Sequence, residues 1–174
     1  VSNSFPRYFY KNWSNPVPGF AIINYLKDRD FFIENLNNNL QKDIIIRLHV
    51  NDNGWGQKEH MSSSFPHVKF DDHGKSFEHM LYKSKLVIVD NNHTAYLESI
   101  SIGRPTIIYW NLDFWPLKSD AVDMFKELKD AKIFHDSASS ALDFVNSLYS
   151  GDVDNNINDW WKSKEVQLSV SNFQ

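Results

Sequence analysis

Between residues 90 and 98 the chain collects the side chains best suited to hold a ligand: Asp90, Asn91, Asn92, His93 and Thr94, with Glu98 four positions further on. The apolar run Leu86, Val87, Ile88, Val89 precedes them, and a second run, Ile107, Ile108, Tyr109, Trp110, follows Gly103 and Pro105. That order spells strand, polar turn, short helix, strand. The turn falls where a strand ends and a helix begins, the usual ligand-binding edge of an open α/β sheet. Free backbone N–H groups and the positive end of the helix dipole meet there, so phosphates and other anions are favoured. Thr94 can cap the helix, which places Glu98 one turn deeper on the same face. A carboxylate at that position can accept both hydroxyls of a ribose whose phosphates rest on the turn. An ordinary capped helix with Glu98 on the surface accounts for the same residues. Gly103 and Pro105 have a structural explanation as helix C-cap and strand start.

A second group lies upstream. Arg47 and His49, two apart in an Ile-rich run, project from one face of a predicted strand near its carboxyl end. A cation and an imidazole there can meet a diphosphate or move a proton, which makes His49 the candidate for proton transfer while the catalytic residue stays unassigned. Alternatively Arg47 pairs with an acidic residue, as a buried guanidinium requires, and His49 is simply polar. The turn Asn51, Asp52, Asn53, Gly54 leads to Trp55, an aromatic that can stack on a base or fold onto the core. His67, Asp71, Asp72, His73 and His79 are metal-ligating types, but their spacing matches no rigid ligand set, so no metal is expected. The Walker, Gly-x-Gly-x-x-Gly and Gly-x-Ser-x-Gly patterns are all missing, which removes the main support for ATPase, dehydrogenase and α/β-hydrolase readings.

The elements that must position these groups follow from periodicity. Residues 1–19 read as an irregular lead-in or inter-domain linker, with a short strand near 7–10, and 20–174 as a single domain. A helix is expected over 20–40, a strand over 43–50, a short helix before Pro66, a strand over 67–70 and a helix capped by Ser76. Then come strand 85–89, helix 94–102, strand 105–110, helix 117–128, strand 132–134, a helix capped by Ser137, and a last helix over 157–173. Trp160 and Trp161 in that helix read as an anchor against the body or as a patch for another domain. Strands apolar throughout and alternating with helices imply a mostly parallel sheet covered on both faces. The expected fold is therefore α/β, a Rossmann-like three-layer α/β/α sandwich.

Composition narrows the classes. The 174 residues suffice for one domain with a substantial core. With 18 basic against 22 acidic residues and a net charge of −4, a general nucleic-acid binder is disfavoured. There is no cysteine, so disulfides and thiolate chemistry are excluded. Asn12-Trp13-Ser14 and Asn92-His93-Thr94 match the glycosylation pattern, yet nothing else suggests secretion, and a cytoplasmic location is expected. The opening without Met is read as that of a domain excised from a longer two-domain protein.

Several segments taken together carry a resemblance. They are Phe5-Pro6-Arg7-Tyr8; Arg47-Leu48-His49 with Asp52-Asn53-Gly54-Trp55; the block 90–105; Ile133-Phe134-His135 with Ser139-Ser140-Ala141; and Asp159-Trp160-Trp161 with Glu165-Val166-Gln167 and Phe173. As a set they resemble the C-terminal half of a bacterial transferase family associated with O-antigen and other surface-polysaccharide gene clusters. That family is related to GT-B glycosyltransferases and, more distantly, to teichoic-acid glycerophosphotransferases. The resemblance implies a Rossmann-like domain that holds a nucleotide-sugar donor without a metal or separate cofactor. It places the diphosphate at Asn91, Asn92, His93 and Thr94, the ribose at Glu98, and a basic strand-end pair at Arg47 and His49. Beside Arg47, Arg104 is a further cation expected to stabilise charge on a leaving diphosphate. Asn92 and His93 stand where many GT-B donor sites carry Gly-Gly. The implied partners are the nucleotide-sugar, a glycan or lipid-linked acceptor and an N-terminal domain of the same polypeptide, which would carry the catalytic base. The longer protein would associate peripherally with a membrane, and the fragment alone would not turn over. A nucleotide-sugar 2-epimerase on the same scaffold, or a non-catalytic protein-interaction domain, are the alternatives.

Overall fold

The computed structural model describes residues 1–2 and 21–173. The expected strand near 7–10 and the Phe5-Pro6-Arg7-Tyr8 segment lie outside the described residues. From Ala21 the chain forms α1 (Ala21–Glu34), α2 (Asn38–Asp43), β1 (Ile45–Ile46), α3 (Gln57–Ser64), β2 (Lys69–Phe70) and α4 (Phe77–Lys83). It continues through β3 (Val87–Val89), α5 (Ala95–Ser101), β4 (Thr106–Tyr109), α6 (Val122–Asp130), β5 (Phe134–His135), α7 (Ala138–Leu148), α8 (Val153–Trp161) and α9 (Lys164–Val170). Every registered strand pair is parallel: β1 with β2, β3 with β4, and β4 with β5. This is the Rossmann-like α/β/α arrangement.

The centre of the sheet is built by residues the sequence reading left in an irregular lead-in. The Val1 nitrogen donates to Ile88 O (2.6 Å), Asp90 N donates to Val1 O (3.5 Å), and Ser2 N donates to Arg47 O (3.0 Å). Bonds to the residues on either side of Val89 are the parallel ladder pattern. Val1 and Ser2 thus bridge β1 and β3, giving the order β2, β1, residues 1–2, β3, β4, β5. The chain runs outward from this centre to β1 and β2, then crosses to β3 and runs outward the other way. The reversal puts a topological switch point between Ser2 and the end of β3.

β4 is buried on both faces because its side chains alternate between two cores. Ile108 and Trp110 join Val87, Val89, Ile100, Phe125, Leu128, Val166 and Val170. Ile107 and Tyr109 join Phe32, Leu142, Val145 and Ile157 on the opposite face. A third cluster, Ile33, Ile46, Met61, Phe65 and Val68, lies under β1 and β2.

Two expected helices are each split by a new cap. Asn37 accepts from Asn39 N (3.0 Å) and starts α2, so the 20–40 helix becomes two. Ser163 accepts from Val166 N (3.3 Å) and starts α9 after α8. The expected strand over 43–50 shrinks to Ile45–Ile46, since Asp43 closes α2. Ser76 and Ser137 cap α4 and α7 as expected, accepting from His79 N and Ser140 N at 3.2 Å each. Trp160 and Trp161 are anchors on the body, their indoles donating to Ala131 O (2.9 Å) and Gly103 O (3.0 Å). Among the described residues no helix is long and apolar enough to cross a membrane.

Candidate functional site

The carboxyl ends of β1, β2, β3 and of residues 1–2 share one rim, because all run parallel. The turn after β3 sits on it at the switch point. Asp90 and Asn91 are buried, and Asn91 Nδ2 donates to Asp90 Oδ1 (2.8 Å) and to Val1 O (3.3 Å). The Asn91 side chain therefore faces inward and ties the turn to the central strand instead of facing a ligand. Asn92 and His93 are half-buried. Burial first, and then the charge of His49, lowers the His93 pKa below the usual histidine value, while Asp90 acts to raise it. That coupling puts His49 and His93 within electrostatic reach of each other across the rim.

Thr94 does not cap α5 through its side chain: its backbone is already helical (φ −62°, ψ −18°). Its hydroxyl instead donates to Glu98 Oε1 (3.3 Å). Both residues are exposed, so the carboxylate stands at the surface one turn along the helix from the rim. The far end of α5 closes as the sequence predicts. Gly103, at φ +73°, donates to Ile100 O (2.9 Å) and Arg104 N donates to Ser99 O (3.0 Å), the paired bonds of a Schellman ending.

Arg104 is not at the site. It follows α5 at the opposite edge of the sheet, where its guanidinium donates to Ser84 O at the foot of β3. Seven helical residues carry the chain about 10 Å away from the rim.

Arg47 meets the alternative allowed for it. Its guanidinium pairs with the buried Asp71 carboxylate and lies 5.6 Å over the Phe77 ring. Asp71 also accepts from His73 N (3.1 Å), so this pair is a strut between β1 and β2 with its charges mutually neutralised. His49 is exposed, and its Nδ1 lies 3.1 Å from Asn51 N and 3.2 Å from Asn51 O, accepting from the first or donating to the second according to its tautomer. Asp52 is the N-terminal anchor of α3, accepting from Gly56 N (2.6 Å) and Gln57 N (2.8 Å). Partial burial raises its pKa, but backbone N–H groups of Gln57, Gly56, Trp55 and Gly54 outweigh that and hold it below the usual carboxylate range. Trp55 packs against the main core. Among the described residues no three His, Asp or Glu side chains come together so as to hold a metal ion.

Beside the switch point lies a polar network the sequence reading missed. Arg29 is 3% exposed; it donates to Ser2 Oγ (3.4 Å) and to Gln57 Oε1, and it pairs with Asp30 (3.3 Å). Tyr25 and Ser2 hydroxyls are bonded at 2.9 Å. A signal was present: Ile22, Tyr25, Arg29, Phe32 and Leu36 follow the 3–4 spacing of one helix face, so Arg29 stands in an otherwise core-facing stripe.

No curated protein and no solved structure matches the chain. A family model does match, and it covers residues 1–174, the whole chain. The domain whose switch point carries His49, His93, Thr94 and Glu98 thus belongs to the LIC12162 family transferases.

Proposed function

We propose that this chain is the donor-binding half of a GT-B-like transferase of bacterial surface-polysaccharide or O-antigen synthesis, with a nucleotide-sugar as its donor. The observation that carries the reading is the placement of an exposed carboxylate, Glu98, one turn into the helix that starts at the switch point. A nucleoside diphosphate laid across this crevice puts its phosphates at Asn92 and His93 and its ribose hydroxyls against Glu98. Thr94, already bonded to Glu98 (3.3 Å), holds that carboxylate toward the rim. Membership of a transferase family is consistent with a group-transfer reaction in which negative charge grows on a leaving diphosphate. His49 and His93 are the groups positioned to meet that charge, and backbone N–H groups of the turn add to it. Asn91 positions the turn without contacting ligand, and Arg47 braces β1 against β2 through Asp71.

The test is calorimetric titration of the full polypeptide with nucleoside diphosphates and nucleotide-sugars, with and without divalent metal. Saturable binding that Glu98→Ala weakens supports the reading. No binding to any of them sinks it, and binding that Glu98→Ala leaves unchanged removes Glu98 from the site.

A further inference from the structure

A cavity of about 480 Å³ lies not at the rim but inside the sheet. It lies between β1 and β3, below Val1, and is walled by Ile44, Ile45 and Ile46 on one side and Leu86, Val87 and Ile88 on the other. Phe32 and Ile33 of α1 and Met80 and Leu81 of α4 also line it. β1 and β3 are not bonded to each other; they belong to separate sheets of two and three strands. A gap flanked by two parallel strand edges and two helices has the shape of a strand's seat.

Backbone direction sharpens this. In a parallel ladder each residue turns both its N–H and its C=O to one side, and neighbours alternate. Val87 N donates to Pro105 O, toward β4, so Leu86 and Ile88 face the slot, and Ile88 O already accepts from Val1 there. Ile46 O accepts from Asp71 N, toward β2, so Ile45 and Arg47 face the slot, and Arg47 O already accepts from Ser2 N. Val1 and Ser2 therefore occupy the upper end of a slot whose lower part has the same two edges. Buried backbone groups left without partners are costly, so such edges demand a peptide rather than an apolar molecule.

We propose that this slot is the seat of a parallel β-strand of about three apolar residues running directly into Val1 on the same polypeptide, so that residues 1–2 are the end of the central strand of the domain. The register follows from the bonds present. The residue before Val1 accepts from Arg47 N and donates to Ile45 O. The one before that accepts from Ile88 N and donates to Leu86 O, and the third accepts from Ile45 N. Three residues thus satisfy Ile45, Arg47 and Ile88. Ile45, 52% exposed, gains a neighbouring strand when the slot is filled.

The proposal concerns the body of the domain and stands apart from the donor reading. Its test is amide hydrogen exchange on the full polypeptide and on a form with proline two positions before Val1. In the first, the amides of Ile45, Arg47 and Ile88 should exchange as slowly as those of Val87 and Ile108. The proline removes a ladder donor, and Ile45 and Ile88 should then exchange about a hundredfold faster, independently of protein concentration. Should the proline form fail to fold, alanine at the same position and measurements on the unaltered polypeptide still decide the matter. Rapid exchange at all three amides in the full polypeptide overturns the proposal. So does protection that appears only as concentration rises, which would assign the slot to a strand from a second molecule.

Discussion

His135 offers a stability measurement whose size can be worked from its surroundings. The ring is 3% exposed, stacked on Phe144 at 5.7 Å, with Nδ1 at 2.8 Å from Ser140 Oγ and Nε2 at 3.2 Å from Lys132 O. Nε2–H donating to the carbonyl and Nδ1 accepting from the hydroxyl is the neutral ring in a fully bonded pocket. Burial brings its pKa down from 6.5 to about 4, with the Lys132 carbonyl opposing, Lys132 charge assisting, and Asp136 and Lys129 acting in opposite senses. Between those two values the unfolded chain holds a proton that the folded chain does not. Stability is therefore complete above pH 6.5 and falls as pH drops through that window toward 4. At about 1.4 kcal/mol per unit the whole window corresponds to roughly 3 kcal/mol, and the fall from pH 7 to pH 5 to about 2 kcal/mol.

Urea unfolding followed by Trp fluorescence at pH 7 and pH 5 reads this directly. His135→Gln, which keeps a donor for Lys132 O but does not titrate, should lose about 2 kcal/mol less than the parent protein between the two pH values. Other groups that titrate in the same range, His93 among them, cancel in the difference. Equal losses in the two proteins would refute the claim that this ring stays neutral in the fold.

Three further outcomes are expected. Glu98→Ala should weaken nucleoside diphosphate binding roughly 10- to 100-fold, the loss of hydrogen bonds to a charged group, while leaving the unfolding midpoint within about 1 °C. Because burial and His49 lower the His93 pKa, an arriving diphosphate should draw a proton onto His93; titrations near pH 6.5 in two buffers of different ionisation enthalpy should show net proton uptake, and zero uptake or release contradicts the placement. Asp52→Ala removes the carboxylate that holds Gly56 N and Gln57 N at the start of α3 and should cost about 1 kcal/mol at pH 7, a difference that shrinks in acid as the parent's own carboxylate is protonated.

The strands on one side of the centre were legible because their residues are apolar without a break: Val87, Ile88 and Val89, then Ile107, Ile108 and Tyr109, can only be interior. Ser76, Ser137 and Gly103 announced their caps through chemistry local to the turn. The turn at Asn92 to Glu98 was likewise readable from its flanks. What depended on distant partners was not. Nothing near Val1 says that it pairs with Val89, eighty-odd positions away, and nothing near Arg47 says that its counter-charge is Asp71 on the neighbouring strand. Arg104 misled because its charge suits a diphosphate, although the helix expected over 94–102 already carries it to the other end of the strands. Arg29 was hidden for the opposite reason, a charge standing in a stripe whose spacing places it inside.

The short helix α5 is pinned at its far end. The hydroxyls of Ser99 and Thr106 meet at 2.7 Å in the core, the Trp161 indole holds Gly103 O, and Arg104 fixes the next residue to Ser84 O. A helix secured in this way acts as an anvil: it has little room to slide or tilt when something presses on its rim end. Whatever adaptation a ligand requires must then come from the segments facing α5 across the crevice. The entropy lost on ordering a binding surface would be spent on those segments alone, since the α5 side is shaped in advance.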